Sequence, residues 1–175
     1  MGDKEGLISR KVADLDEFWK GQKKIEILDP NLLACKEHRI ELLDQLIDSK
    51  AEVNFNQGLD VRFADSEIAE KLNKIKVKLI HFAWDNYEFK TYEKLSEMRK
   101  SLKYDRNKVV VYILTNFDTT QDQDLERIYK VRDLGFDPYV MIYDKPNAPK
   151  ITKNMQRWCN AHIIRVCERF EDYVG

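Results

Sequence analysis

Short β-branched or aromatic runs alternate along this chain with longer segments in which apolar residues recur every three or four positions. Five runs read as strands: Ile25 to Leu28, the stretch around Val53 to Phe55, Leu79 to Trp84, Val109 to Leu114, and Tyr139 to Tyr143. The segments between them read as helices. Asp14 to Trp19 opens with an acidic first turn, which suits the positive end of a helix dipole. Asn31 is placed to cap a helix reaching Lys50, with Leu32, Leu33, Ile40, Leu43, Leu46 and Ile47 on one stripe. Asp65 or Ser66 caps a helix through Ile75, whose Ile68, Leu72 and Ile75 share a face. Further helices are expected from Tyr87 to Leu102 and from Asp118-Thr119-Thr120 to Leu134, the latter closed by Gly135. Pro146 and Pro149 mark a loop, and a last helix is expected from Thr152 to Phe170. Strands alternating with helices predict an α/β fold with a parallel sheet and right-handed crossovers. The expected architecture is one domain over residues 1–175, a partial (β/α) barrel of about five parallel strands. Such folds ordinarily open on a strand. Met1 to Lys11 offers none, so one strand reads as missing from the front, leaving a sheet edge open to self-association or to covering by the N-terminal segment.

Polar clusters follow the strands: Asp29-Pro30-Asn31, Asn56-Gln57-Gly58 with Asp60 and Arg62, Asp85-Asn86, Thr115-Asn116-Phe117-Asp118, and Asp144-Lys145 after Tyr143. Parallel α/β folds bind ligands outside the carboxyl ends of their strands, so these tips are the candidate site. Each has a plainer reading. Asp29-Pro30-Asn31 serves equally as a turn with a helix cap, and Asp118-Thr119-Thr120 as a cap. Asn56-Gln57-Gly58 carries more polar side chains than a turn needs. His81 lies inside an apolar strand and reads as an interior histidine, His38 and His162 as helix-surface residues, and Trp84 as a core or mouth-filling aromatic. The basic run Lys71 to Lys78 reads as a solvated helix end.

Lys and Arg number 30 against 31 Asp and Glu, so the overall balance does not indicate nucleic acid as a partner. No apolar run approaches the ~20 residues that span a membrane. Cys35, Cys159 and Cys167 are odd in number and lack zinc spacing, which points to a reduced, cytoplasmic protein with no metal site.

Leu28-Asp29-Pro30-Asn31-Leu32-Leu33-Ala34, Asn54-Phe55-Asn56-Gln57-Gly58-Leu59-Asp60-Val61-Arg62, Thr115-Asn116-Phe117-Asp118-Thr119-Thr120 and the stretch Gly135 to Lys145 together resemble a branch of the radical S-adenosylmethionine (SAM) superfamily, as do Arg157-Trp158-Cys159-Asn160 and Phe170-Glu171-Asp172-Tyr173. The resemblance implies a (β/α)6 partial barrel whose first strand, missing here, precedes a CxxxCxxC motif holding a [4Fe–4S] cluster, with SAM as the second cofactor. This chain has no such motif, and Lys4-Glu5-Gly6 is similar to the stretch that follows it. The resemblance therefore implies a truncated or degenerate member without independent radical chemistry, with SAM and [4Fe–4S] expected only in an intact parent. It also implies roles by position. Asp29 and Asn31 fall where the SAM amino group is met, Gln57, Asp60 and Arg62 at the rim, Asp85 and Asn86 at the ribose, and the backbone around Ile142 and Tyr143 at the adenine. Two other readings stand beside it: a non-catalytic binding or scaffold module using the polar mouth or the open edge, and a hydrolase using Asp29, Asp60 and Asp85.

Overall fold

A computed structural model describes residues 10–173. A short helix α1 (Leu15–Phe18) precedes five strand–helix units: β1 (Lys24–Ile27) and α2 (Arg39–Ser49), β2 (Glu52–Leu59) and α3 (Ser66–Lys74), β3 (Lys76–Trp84) and α4 (Phe89–Ser101), β4 (Val109–Thr115) and α5 (Gln121–Asp133), β5 (Asp137–Ile142) and α6 (Lys150–Asn160). All four strand pairings are parallel and the spatial order is β1-β2-β3-β4-β5. Sequential order without a reversal means that every right-handed crossover lies on the same side of the sheet. That is the winding of a barrel rather than of a doubly wound sheet, so the α/β class and the partial-barrel architecture follow directly. The described residues contain no helix long and apolar enough to cross a membrane.

The helix side of the sheet holds the core. Phe55, Phe82, Trp84, Phe136 and Trp158 are buried there with the aliphatic faces of the helices. The opposite face is polar and aromatic. Asn54 on β2 donates to Glu26 on β1 (2.6 Å), His81 on β3 stacks on Tyr112 of β4 (4.8 Å between centroids), and Tyr112 meets Tyr139 of β5 edge-on (5.5 Å). In a closed barrel, layers of branched apolar side chains fill this space.

Local signals explain most boundaries. Asp65 accepts the Ile68 N–H and caps α3; Thr120 and Gln123 form a reciprocal capping box at α5. Gly135, at φ +80°, ends α5 with the Phe136 N–H reaching the Val131 carbonyl and its own reaching Arg132, a Schellman arrangement.

Four boundary expectations need correction. Asn31 does not cap α2: it heads a single 3₁₀ turn, Leu32–Ala34, which buries Leu32 and Leu33, and α2 starts only at Arg39. Asn56-Gln57-Gly58 lies inside β2 rather than after it. Pairing passes from Phe55 opposite Ile80 to Leu59 opposite Phe82, so the extra residues form a bulge. Gly58 is required there, because a Cβ would stand 3.0 Å from the Ala83 side chain. α6 stops at Asn160, ten residues short of the expected end, so Cys159 and Cys167 do not share a helix. The reason is tertiary. The Asn160 carboxamide leaves the helix to bond both the N–H and the C=O of Val140, at 2.8 and 3.0 Å, and the chain turns back through His162 at φ +57°. Finally, His38 is not a surface residue but is buried at the head of α2, where it bonds Glu41, and His162 lies beyond α6 beside Asp137.

The two sheet edges differ. Asn160 and Gln156 occupy the Val140 backbone on the outer edge of β5, in place of a strand. On β1 the register directs the N–H and C=O of Lys24 and Glu26 away from β2, and nothing among the described residues bonds them. The expectation of a missing opening strand, and the Lys4-Glu5-Gly6 segment, fall on residues 1–9, outside the described residues.

Candidate functional site

The carboxyl ends of the strands converge on a cavity of about 320 Å³. Six of the candidate residues line it: Asn31, Gln57, Asp60, Arg62, Asp85 and Asn86. Glu88 and Thr91 at the head of α4 join them, with Ala83, Tyr112 and Met141 as the floor. Sequence reasoning missed these last five. Tyr112 and Met141 carry a readable signal, since each alternates with inward-buried neighbours along its strand. Glu88 and Thr91 enter because α4 starts two residues later than expected, which leaves residues 85–88 as loop wrapped around the mouth.

Two candidates lie outside the cavity lining. Asp29 accepts the Asn31 N–H at 2.8 Å, closing an Asx turn that sets the chain direction after β1. Tyr143 packs edge-on against Phe117 at 4.9 Å. Its N–H reaches the Thr115 carbonyl at 3.0 Å and its C=O accepts from Asn116 at 3.0 Å, so the backbone polar groups expected at an adenine are engaged within the protein. The trio Asp29, Asp60 and Asp85 is therefore not assembled at one point, as a hydrolase would need.

The three cavity acids differ sharply in how they are held. Asp60 grips Arg62 in a two-pronged ion pair (Nε to Oδ1 2.9 Å, Nη2 to Oδ2 2.7 Å) and also caps the turn Val61–Phe63 through the Arg62 N–H at 3.0 Å. This pair holds the Arg62 guanidinium above its ordinary value, so it stays charged. Glu88 accepts from Asn86 at 3.2 Å. Asp85 has no side-chain partner among the described residues. Its rim remains open to solvent, but the surrounding protein withdraws enough water to raise its carboxyl above the ordinary range, against the pull of the Arg127 charge.

Beneath the mouth, Arg127 of α5 is fully buried. It donates to the carbonyls of Trp84 (2.8 Å), Asp85 (3.3 Å) and Leu114 (2.6 Å) and pairs with buried Asp124 at 2.6 Å. Asp124 in turn accepts from Thr119 and from the Asn116 N–H. The ends of β3 and β4 and both following loops are thus fastened to one charged side chain. A charged residue in the middle of an amphipathic helix carries no sequence signal for this role.

His81 lies under Tyr112. Its Nδ1 is 2.7 Å from the Phe55 carbonyl, which only accepts, so Nδ1 carries the proton and Nε2 a lone pair. Burial lowers its pKa below the ordinary 6.5. A base so shifted binds its proton more readily when unfolded, so stability is expected to fall as pH drops through 6.5 and to level off below the depressed native value. Urea unfolding of His81→Gln, whose amide still reaches the carbonyl, is expected to lose this component of the acid limb; an unchanged limb would assign it elsewhere.

The cysteines do not suit a [4Fe–4S] cluster. None lines the cavity, Cys159 is buried at the end of α6 with its thiol pushed far up by desolvation, and Cys167 donates to the Arg169 carbonyl at 3.4 Å. Asp14, His38 and Glu41 do bring ligand atoms within 4.8 Å of one another. However, the Lys11 ammonium takes the cation's place there, 2.5 Å from Asp14 and 3.0 Å from Glu41. No family model, curated protein or solved structure matches this chain.

Proposed function

We propose that the mouth cavity is a binding site for a small molecule with a cationic head and vicinal hydroxyls, SAM being the first candidate, and that the chain performs no radical chemistry alone. The observation that carries this is Asp85: a carboxyl in the cavity lining with no side-chain partner among the described residues, where the other acids of the lining are already engaged. Asp85 is exposed at the rim, so its carboxylate is accessible to a ligand, and an ammonium or a diol supplies the matching donors. The resemblance of the strand-end motifs to the radical SAM superfamily selects SAM among such ligands. The placement of the three cysteines supports the absence of cluster chemistry. The cavity volume is at the lower end of the ~300–1,000 Å³ usual for small-molecule sites.

Calorimetric titration tests this. SAM is expected to bind, and Asp85→Asn to weaken it about tenfold to a hundredfold, the range for a hydrogen bond to a charged group. Because the native carboxyl holds its proton to a higher pH than the unfolded one, its ionisation opposes folding at neutral pH. Asp85→Asn is therefore expected to melt no lower than the parent at pH 7, which separates lost binding from lost folding. No heat from SAM, or equal heat from the variant, would remove the proposal. Anaerobic reconstitution giving four irons per chain would remove its second half.

A further inference from the structure

We propose that the groove between β5 and α6 binds single-stranded nucleic acid. Tyr139, Lys145, Lys153, Gln156, Arg157 and Asn160 line it, with no carboxylate among them. The near-neutral charge of the whole chain conceals a segregation: between Tyr139 and His162 there are four Lys or Arg and a single acid, Asp144. Lys150, Lys153 and Arg157 stand three and four residues apart and so share one face of α6. Like charges at that spacing repel, and Lys150 and Lys153 sit near the positive end of the helix dipole. Among the described residues no carboxylate pairs with Lys145, Lys150, Lys153 or Arg157, although thirteen Lys or Arg ion pairs form elsewhere. Lys153 donates to the Pro146 carbonyl at 3.2 Å, and the positive charge of this exposed face is left for an external anion to neutralise.

The anion's form follows from what borders the cations. Tyr139 exposes 42% of its surface at the groove, and its ring meets Tyr112, which with Met141 floors the mouth cavity. A row of cations beside an accessible aromatic ring is the pairing that holds a sugar-phosphate backbone and stacks an unpaired base. A duplex has no free base face to offer the ring. Gln156 and Asn160, the two side chains equipped to read base edges, are already bonded to Val140. Little sequence preference is therefore expected.

Fluorescence anisotropy with a labelled ten-nucleotide oligo(dT) tests the assignment, with a duplex of equal length and unlabelled TMP and inorganic phosphate as further arms. With about three phosphates neutralised, raising salt from ~50 to ~200 mM is expected to weaken binding roughly tenfold to twentyfold. Lys153→Glu/Arg157→Glu is expected to abolish binding at the low salt. Tyr139→Ala is expected to weaken it about fivefold to a hundredfold without changing the salt slope. Asp85→Asn is expected to bind the strand as the parent does, so failure here and failure of the cavity assignment are distinguishable. Circular dichroism melts check folding, and Arg157→Gln, which only removes a charge at an exposed position, serves if the double variant unfolds. Failure of the parent to bind, equal binding by the folded charge-reversed variant, an equally tight duplex, or full competition by TMP or phosphate would each overturn the proposal.

Discussion

Replacing Arg127 by methionine is expected to lower the unfolding free energy by about 3–5 kcal/mol, the cost of breaking a buried pair from one side. Methionine matches much of the aliphatic stem, so the loss comes from polar groups. Asp124, 1% exposed, would keep its charge with only Thr119 and the Asn116 N–H to balance it, and the Trp84 and Leu114 carbonyls would lose their side-chain donor. The urea midpoint should fall with little change of slope if the fold is otherwise kept. Removing both charges, in Asp124→Leu/Arg127→Met, is expected to restore part of the loss, because no lone charge remains in the core. A single-variant effect under ~1 kcal/mol would mean that water reaches the pair. Since Arg127 also holds the Asp85 carbonyl, SAM titration of the single variant should show weaker binding at temperatures where it is still folded.

The second large effect concerns the segment after α6. Trp158 is fully buried, stands edge-on to Tyr129 of α5 (5.8 Å), packs on Phe170 (5.4 Å) and donates its indole N–H to the Cys167 carbonyl at 2.7 Å. One side chain thus joins α5, α6 and the returning segment. Trp158→Ala is expected to cost about 3–5 kcal/mol, the range for truncating a large core aromatic. Trp158→Phe keeps most of the area and loses chiefly the hydrogen bond, about 1 kcal/mol. Thermal melts order the three proteins, and amide exchange locates the effect. Faster exchange confined to residues 163–173 and the end of α6 is expected in Trp158→Phe. Unchanged exchange there would show that other contacts dock the segment.

The elements with their own local physics were legible. The strand Val109 to Leu114, the caps at Asp65 and Thr120 and the glycine at 135 all stand where the chain pattern places them, because each depends on residues within a turn of itself. The misplacements share one cause. Gln57-Gly58, Asn160 and His162 owe their conformations to partners 20 or more residues away, namely the Ala83 side chain, the Val140 backbone and the Asp137 carboxylate, and Asn31 heads a turn set by the burial of Leu32 and Leu33 in the core. Asn160 illustrates it best. Its helical surroundings favour continuation, and a pair of hydrogen bonds to the β5 edge ends the helix instead.

The candidate site divides in the same way. That Asn31, Asp60, Arg62, Asp85 and Asn86 follow strands and belong to one mouth is determined by the sequence, since alternation of strand and helix places every strand end on the same side, whereas Gln57 reaches the mouth from the bulge inside β2. What each acid is free to do is decided only by the tertiary structure. Asp29 closes a turn, Asp60 is consumed by Arg62, and Asp85 has no side-chain partner among the described residues, above a buried Arg127. Charge availability depends on distances of 3 Å or so between groups far apart in the chain, and no pattern of neighbours along a sequence encodes those.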